Sequence, residues 1–316
     1  MVKVNNLRNG NLNRNNLVYR QLSSKNIQEV YDLFEGNSAF FSLPFDYFKK
    51  GTLDDDGIDF DLSLILYEIE KEKPIAGLLI AIRKISEEKK GFIKAFVVDK
   101  NYRRQGIGTL IFDELLKRAK GKGLNQIIYG PAVPNYWQPG VDIRNTSLYF
   151  FLKKYRFKSH RAIFNLTVSL DLIKNKPPLK KEGYKYERVQ PEDFDMLYDF
   201  VKQQFPNNTW AAEVKFSFNF NPPTTFIAKD TNNNMVGWAT HSQFYPGSFG
   251  PTGVKESLRG KGIGTILFLW CLWDIKQKGL HTSEIMWVDG NTIKFYSKVS
   301  GAYISPIFYP MYKKIR

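Results

Sequence analysis

Two basic, glycine-rich stretches constrain this chain more than anything else in it: RRQGIGT from Arg103 to Thr109 and RGKGIGT from Arg259 to Thr265. Each follows a strand-like apolar run and opens a helix-like one. Arg103 and Arg259, Gly106 and Gly262, and Gly108 and Gly264 each stand 156 residues apart. Carried through the helix that follows, windows 103–124 and 259–280 share 11 identities without a gap, among them Phe112 with Phe268 and Leu116 with Leu272. Self-similarity at that period is a duplicated domain, since solenoid repeats run at about 20–50 residues. In a chain of 316 residues, two units of roughly 150 each can bury separate cores.

A glycine turn at a helix start presents consecutive backbone N–H groups. The helix dipole adds partial positive charge there, and the missing side chain lets an anion come close. Arginine and lysine in the same turn make phosphate the expected anion. The ordinary alternative, a tight turn that merely begins a helix, explains one such stretch better than two. Two familiar phosphate loops do not fit. A Walker loop needs Gly-Lys-Ser/Thr at the end of a longer spacing. A dinucleotide loop needs a third glycine, and that position holds Ile111 in the first copy and Leu267 in the second.

Val98 precedes Arg103 by the same five positions as Val254 precedes Arg259. This valine, arginine and glycine pattern resembles the acetyl-CoA pyrophosphate loop of the GNAT superfamily of N-acetyltransferases, and the resemblance covers nearly the whole chain as two tandem units. It implies an α+β fold of two GNAT domains, each a central mixed β-sheet flanked by helices. It also implies acetyl-CoA as cofactor. Val98, Arg103, Arg104, Gln105, Gly106, Ile107, Gly108 and Thr109 would hold it in the first copy. Val254, Arg259, Gly260, Lys261, Gly262, Ile263, Gly264, Thr265 and Asn291 would hold it in the second. Among tandem relatives the chain most resembles the Firmicute type that includes glucosamine/glucosaminide N-acetyltransferases. The Fem-type aminoacyl transferases lack an intact pyrophosphate loop, and both loops are intact here.

Acetyl transfer to an amine needs the thioester held against the amine, a proton taken from the amine and a proton given to the thiolate. In the resembled family a tyrosine in the helix after the fifth strand commonly gives that last proton. The match is Tyr296, in the stretch from Asn291 to Gly301. In the first copy the tyrosine position falls on Phe150 or Phe151, and the glycine position on Arg156. The C-terminal half is therefore the expected catalytic one. Asp289, at the end of the strand feeding that helix, is the first choice of general base, with a helix cap as its ordinary alternative. Glu256 and His241 rank below it. The expected acceptor is a primary amine of a small molecule, for which an amino sugar is a candidate. The alternative is a catalytically silent CoA sensor or scaffold.

The rest of the chain organises around the repeat. Residues 1–172 read as the first domain, beginning with a polar lead-in at 1–17. Residues 173–184, with Pro177, Pro178 and several lysines, read as a linker, and 185–316 as the second domain. Arg161–Leu170 reads as the last strand of the first domain and Ile307–Met311 as the closing strand of the second. Two aromatic Pro-Gly loops, Tyr136–Gly140 and Phe244–Gly247, could line an acceptor site or pack internally. A single cysteine, Cys271, suits a reducing, cytoplasmic setting. Three scattered histidines offer no metal spacing, and no apolar run is long enough to be a membrane span. The net charge of +15 favours an anionic partner such as CoA. The basic residues form no single cluster, so no nucleic acid partner is expected.

Overall fold

The computed structural model describes residues 2–3, 14–38, 40–206 and 209–315; most of the expected polar lead-in lies outside them. The chain forms two compact units, residues 1–162 with 308–316, and residues 163–307. Unit 1 is built on strands β1 (Leu17–Arg20), β2 (Leu64–Glu68), β3 (Lys73–Ile85), β4 (Glu88–Val98) and β5 (Gln126–Tyr129). They follow one another across the sheet in that order, antiparallel except for the parallel pair β4 and β5. Helices α1 (Ile27–Glu35) and α2 (Phe45–Lys50) lie between β1 and β2 in sequence. Helix α3 (Ile107–Gly121) connects β4 to β5, and α4 (Thr146–Lys154) follows β5.

The glycine stretch sets where α3 begins. Gly106 stands at the N-cap with φ 83°, a left-handed conformation that a side chain would strain. From there Ile107, Leu110, Ile111, Leu115 and Ala119 recur at helical spacing and are buried with Phe112 in the unit's core. Phe112 packs edge-on against Phe151 of α4, centroids 4.9 Å apart. Truncating a ring so buried typically costs about 3–5 kcal/mol.

Unit 2 repeats the plan with β6 (Ile163–Ser169), β7 (Tyr184–Arg188), β8 (Thr225–Lys229), β9 (Met235–His241), β10 (Ser248–Val254), β11 (Thr282–Val288) and β12 (Tyr303–Tyr309). Its helices are α5 (Phe194–Gln204), α6 (Trp210–Val214), α7 (Ile263–Gln277) and α8 (Gly290–Ser300). Gly262 caps α7 at φ 76°, as Gly106 caps α3. Cys271 is fully buried in α7, and burial pushes its thiol well above the ordinary range, which leaves it inert.

The strand expected at 161–170 joins the second sheet instead of closing the first, and the stretch 307–311 is divided: Ile307–Tyr309 ends β12 in the second sheet, while Met311 begins a strand of the first. β6 pairs antiparallel with β11, Thr282↔Ser169 through Val288↔Phe164, and puts Leu166 and Val168 into the core of unit 2. The place beside β5 is taken by β13 (Met311–Lys314), which pairs Met311↔Tyr129 through Lys314↔Gln126. The compact units accordingly part at 162/163 and 307/308, and not at the expected linker. An apolar alternation marks a strand and its buried face. It does not say which of two similar sheet edges the strand will fill.

Candidate active site

The strand pair before each glycine loop comes apart. In unit 1, β4 and β5 are in parallel register from Lys90↔Gln126 to Ile93↔Tyr129, and pairing stops there. β4 runs on to Val98, held on its other edge by β3. Lys94 to Val98 thus present one unpaired backbone edge, and all five residues line a cavity of about 960 Å³. Unit 2 has the same split. β10 pairs β11 only at Ser248↔Glu284 and Phe249↔Ile285, yet continues to Val254.

Each glycine loop lies at the far end of its unpaired strand. In unit 1, Arg104, Gly106, Gly108 and Thr109 line the same cavity as the strand edge. No side chain caps α3 or α7, so their first-turn N–H groups have no side-chain acceptor. This is the arrangement a diphosphate needs. Arg103 is committed differently from expectation. Its Nε donates to the Val98 carbonyl at 3.0 Å and its Nη2 to the Asn37 carbonyl at 2.9 Å, so it braces the end of β4. Its counterpart Arg259 pairs with exposed Glu256 at 3.7 Å.

The cavity wall in unit 1 mixes aromatic rings with charged side chains, among them buried Lys94 and the Asp142–Arg144 pair. Phe151 lines it and stacks on Phe96 of the strand edge, centroids 5.7 Å apart. Tyr129, at the vertex of the split, also lines it. Lys94, with no exposed side-chain surface, donates to Asp55 Oδ2 at 2.5 Å. Arg83 Nη2 donates to Asp55 Oδ1 at 2.8 Å, and its Nε to the Val133 carbonyl. Burial holds the Lys94 ammonium below the ordinary lysine range, with Asp55 opposing. Two cations on one carboxylate tie the loop after α2, the loop after β5 and β4 together at the cavity wall.

The profile of the "Acetyltransferase (GNAT) family" matches residues 27–136 and again 193–302, more than two thirds of the chain. The chain belongs to the GNAT family of acetyltransferases. No curated protein sequence matches it. Among solved structures, the fold is similar to the glucosamine N-acetyltransferase region of a fungal multi-domain GH3 β-N-acetylglucosaminidase, with TM-score 0.72 and 18% identity over 94% of this chain. The chain spans only 38% of that protein's length. It is also similar to a tandem GNAT protein from the clavulanic acid biosynthesis pathway, with TM-score 0.72 and 14% identity over 95% of this chain and 99% of that one. A GNAT from Sphaerobacter thermophilus matches at TM-score 0.65 and 16% identity, over 95% and 96% of the two chains. At these identities the neighbours share the fold. The family match makes this tandem GNAT an acyltransferase.

The remaining expected residues of this GNAT lie in unit 2. Tyr296 is buried in the core, its ring 5.0 Å from Phe268 and 5.9 Å from Phe249, and burial pushes its hydroxyl pKa up. Phe268 is the counterpart of Phe112, and Phe112 is the ring that Phe151 packs against. Phe151, and not the exposed Phe150, therefore stands where Tyr296 stands in the other unit. Asp289 is exposed and accepts from the Thr292 backbone N–H, as one half of a capping box on α8. That is the cap alternative, and no proton transfer is assigned to it. His241 is fully buried between Asp274 and Ser242, each 2.9 Å from a ring nitrogen. Burial lowers its pKa to about 4, Asp274 opposing, so it stays neutral and structural. Asn291, Arg259, Gly260, Lys261 and Gly262 are exposed around the starts of α8 and α7.

Three residues escaped the sequence reading: Tyr129, Lys94 and Glu213. Tyr129 carried a usable signal, since it ends an apolar strand directly before Gly130. Lys94 reads as an ordinary outward residue of an alternating strand. Glu213 reads as an exposed helix residue, yet it is buried with Thr209 Oγ1 as its donor at 2.9 Å.

Proposed function

We propose that the chain transfers an acetyl group from acetyl-CoA to the amine of a small molecule, with an amino sugar as a candidate acceptor, and that the cleft of unit 1 is the reacting site. One observation carries this reading: the unpaired edge of β4, the glycine loop and an open cavity of about 960 Å³ coincide in unit 1. The backbone of Lys94–Val98 would hold the pantetheine arm as an added strand. The α3 N-terminus, Arg104 and Gly108 would hold the diphosphate. When bound, acetyl-CoA supplies the activated acyl group. The chain's own part is to fix that group at the strand vertex and exclude water with Phe96, Phe151 and Trp137. The test is release of CoA thiol from acetyl-CoA with a panel of amino sugars, polyamines and amino-acid amines. Binding without turnover across the panel would favour the sensor alternative.

A second reading keeps turnover in unit 2 with Tyr296 as proton donor. It is favoured by the phenol hydroxyl that unit 1 lacks at the equivalent position, Phe151. Against it, the ring of Phe205 lies on Gly253 of the unpaired strand, where a Cβ would come 2.4 Å from it. Pro251 in the same strand has no N–H to offer a carbonyl.

A further inference from the structure

The helix tyrosine is missing from unit 1, but a phenol is present at the vertex of its cleft by another route. Tyr129 is the last residue of β5 and sits opposite Ile93, the last paired residue before β4 is left alone. Unit 2 has Ile285 there, opposite Phe249. The side chain of Tyr129 is only 7% exposed, and it lines the cavity together with Phe96, Gly108 and Phe151. Among the described residues no group hydrogen-bonds its hydroxyl, whereas buried Tyr67 donates to Glu29 and partly buried Tyr155 donates to Asp113 and the Thr109 carbonyl. Tyr129 lines the cavity, where a ligand can complete its hydroxyl, whereas the hydroxyl of Tyr296, equally unpartnered among the described residues, lies in the core of unit 2. Burial also raises its pKa, with no charged neighbour contributing, so the hydroxyl keeps its proton at neutral pH.

We propose that Tyr129 is the proton donor of unit 1, replacing from the strand the hydroxyl that Phe151 removed from the helix. The proposal rests on the reading that the thioester binds in unit 1. As the acyl carbon–nitrogen bond forms and the carbon–sulfur bond breaks, Tyr129 Oη passes its proton to the departing sulfur. The proton lost by the amine goes to solvent, and the phenolate is reprotonated from solvent. Before transfer the same hydroxyl donates a hydrogen bond toward sulfur, which favours thiolate over thiol in bound CoA.

The experiment compares Tyr129→Phe with wild type in the full chain. Phenylalanine keeps the ring in the core, so thermal stability and acetyl-CoA affinity by calorimetry should hold. The expected result is a fall in kcat of about 10²–10⁴-fold with the best amine. A second readout is independent of turnover: the pH at which the thiol of bound CoA ionises, followed by thiolate absorbance, should rise in the variant. A kcat within about twofold of wild type, or an unchanged ionisation of bound CoA, overturns the proposal. The underlying reading fails separately: if Gly106→Asp leaves CoA binding untouched, the ligand is not in unit 1. If the ionisation readout moves with Tyr296→Phe instead, the donor belongs to unit 2.

Discussion

Unit 1 and unit 2 keep the same backbone device and differ in what lines it. Both split a parallel strand pair at its C-terminal end, and both start the next helix from a left-handed glycine. In unit 1 the unpaired strand is Lys-Ala-Phe-Val-Val and opens on a cavity. In unit 2 it is Gly-Pro-Thr-Gly-Val, and Phe205 lies on it. Their buried charges differ as well. Asp55 of unit 1 is held by both Lys94 and Arg83, while Glu213 of unit 2 has, among the described residues, a threonine hydroxyl and no cation. The glycine loops agree because they are made of backbone held by a left-handed glycine in each unit. The walls are made of side chains, and these differ between the units.

The largest expected effect tests that electrostatic difference. Burial raises the Glu213 carboxyl to about 7, against a small opposing hydrogen bond from Thr209. The folded state then holds a proton that the unfolded state releases above about pH 4.5. Stability from this group is complete below that pH and is lost as pH rises through about 7. Glu213→Gln removes the loss. At pH 8 the variant should be more stable by up to about 3 kcal/mol, and the gain should vanish in acid. Urea titrations at pH 4 and pH 8 measure it; an equal effect at both would mean that Glu213 is not held protonated.

Next comes the loop. Gly106→Asp puts a carboxylate where a diphosphate should sit and strains a φ of 83°. Acetyl-CoA should bind unit 1 at least about tenfold more weakly, a loss of about 1.4 kcal/mol. Gly262→Asp should leave that site unchanged and remove only any binding in unit 2. Calorimetric stoichiometry with the two variants separates the units, and the reverse pattern would exchange their roles.

Smaller effects are expected at the helix position. Tyr296→Phe should leave kcat within about threefold if unit 1 reacts, because the ring and its contacts with Phe249 and Phe268 survive. A fall of about 10²-fold would instead place turnover in unit 2. The smallest change should come from Phe151→Tyr, which adds a hydroxyl beside Phe96 and Gly108 in a cleft that already has Tyr129. We expect a rate within about twofold of wild type, since a second donor relieves no deficit once the first is in place. A clear acceleration would show that Tyr129 does not serve the thiolate.

Much of the fold was legible because its signals are local. Gly106 and Gly262 announce helix starts, and Ile107, Leu110, Ile111 and Leu115 recur at helical spacing behind the first of them. Asp289 shows where local reading stops. A carboxylate two residues before Asn291 is an equally good cap or base in sequence, and only its hydrogen bond to Thr292 assigns it to the cap. Phe150 and Phe151 were equivalent candidates until packing on Phe112 separated them.

What the sequence determined by itself is the duplication, the two glycine-started helices, the α+β class and the resemblance to GNAT, because each rests on residues near one another in the chain. What only the tertiary structure decided is which sheet receives β6 and which receives β13, the commitment of Arg103 to β4, the Lys94–Asp55–Arg83 cluster and the unpartnered hydroxyl of Tyr129. Most of these depend on partners tens or hundreds of residues away; Arg103 reaches Val98 only five residues back but also needs the Asn37 carbonyl, 66 residues away. A strand's alternation says which face is apolar but not which neighbour it pairs with, and burial of a polar group is set by elements that meet only after folding.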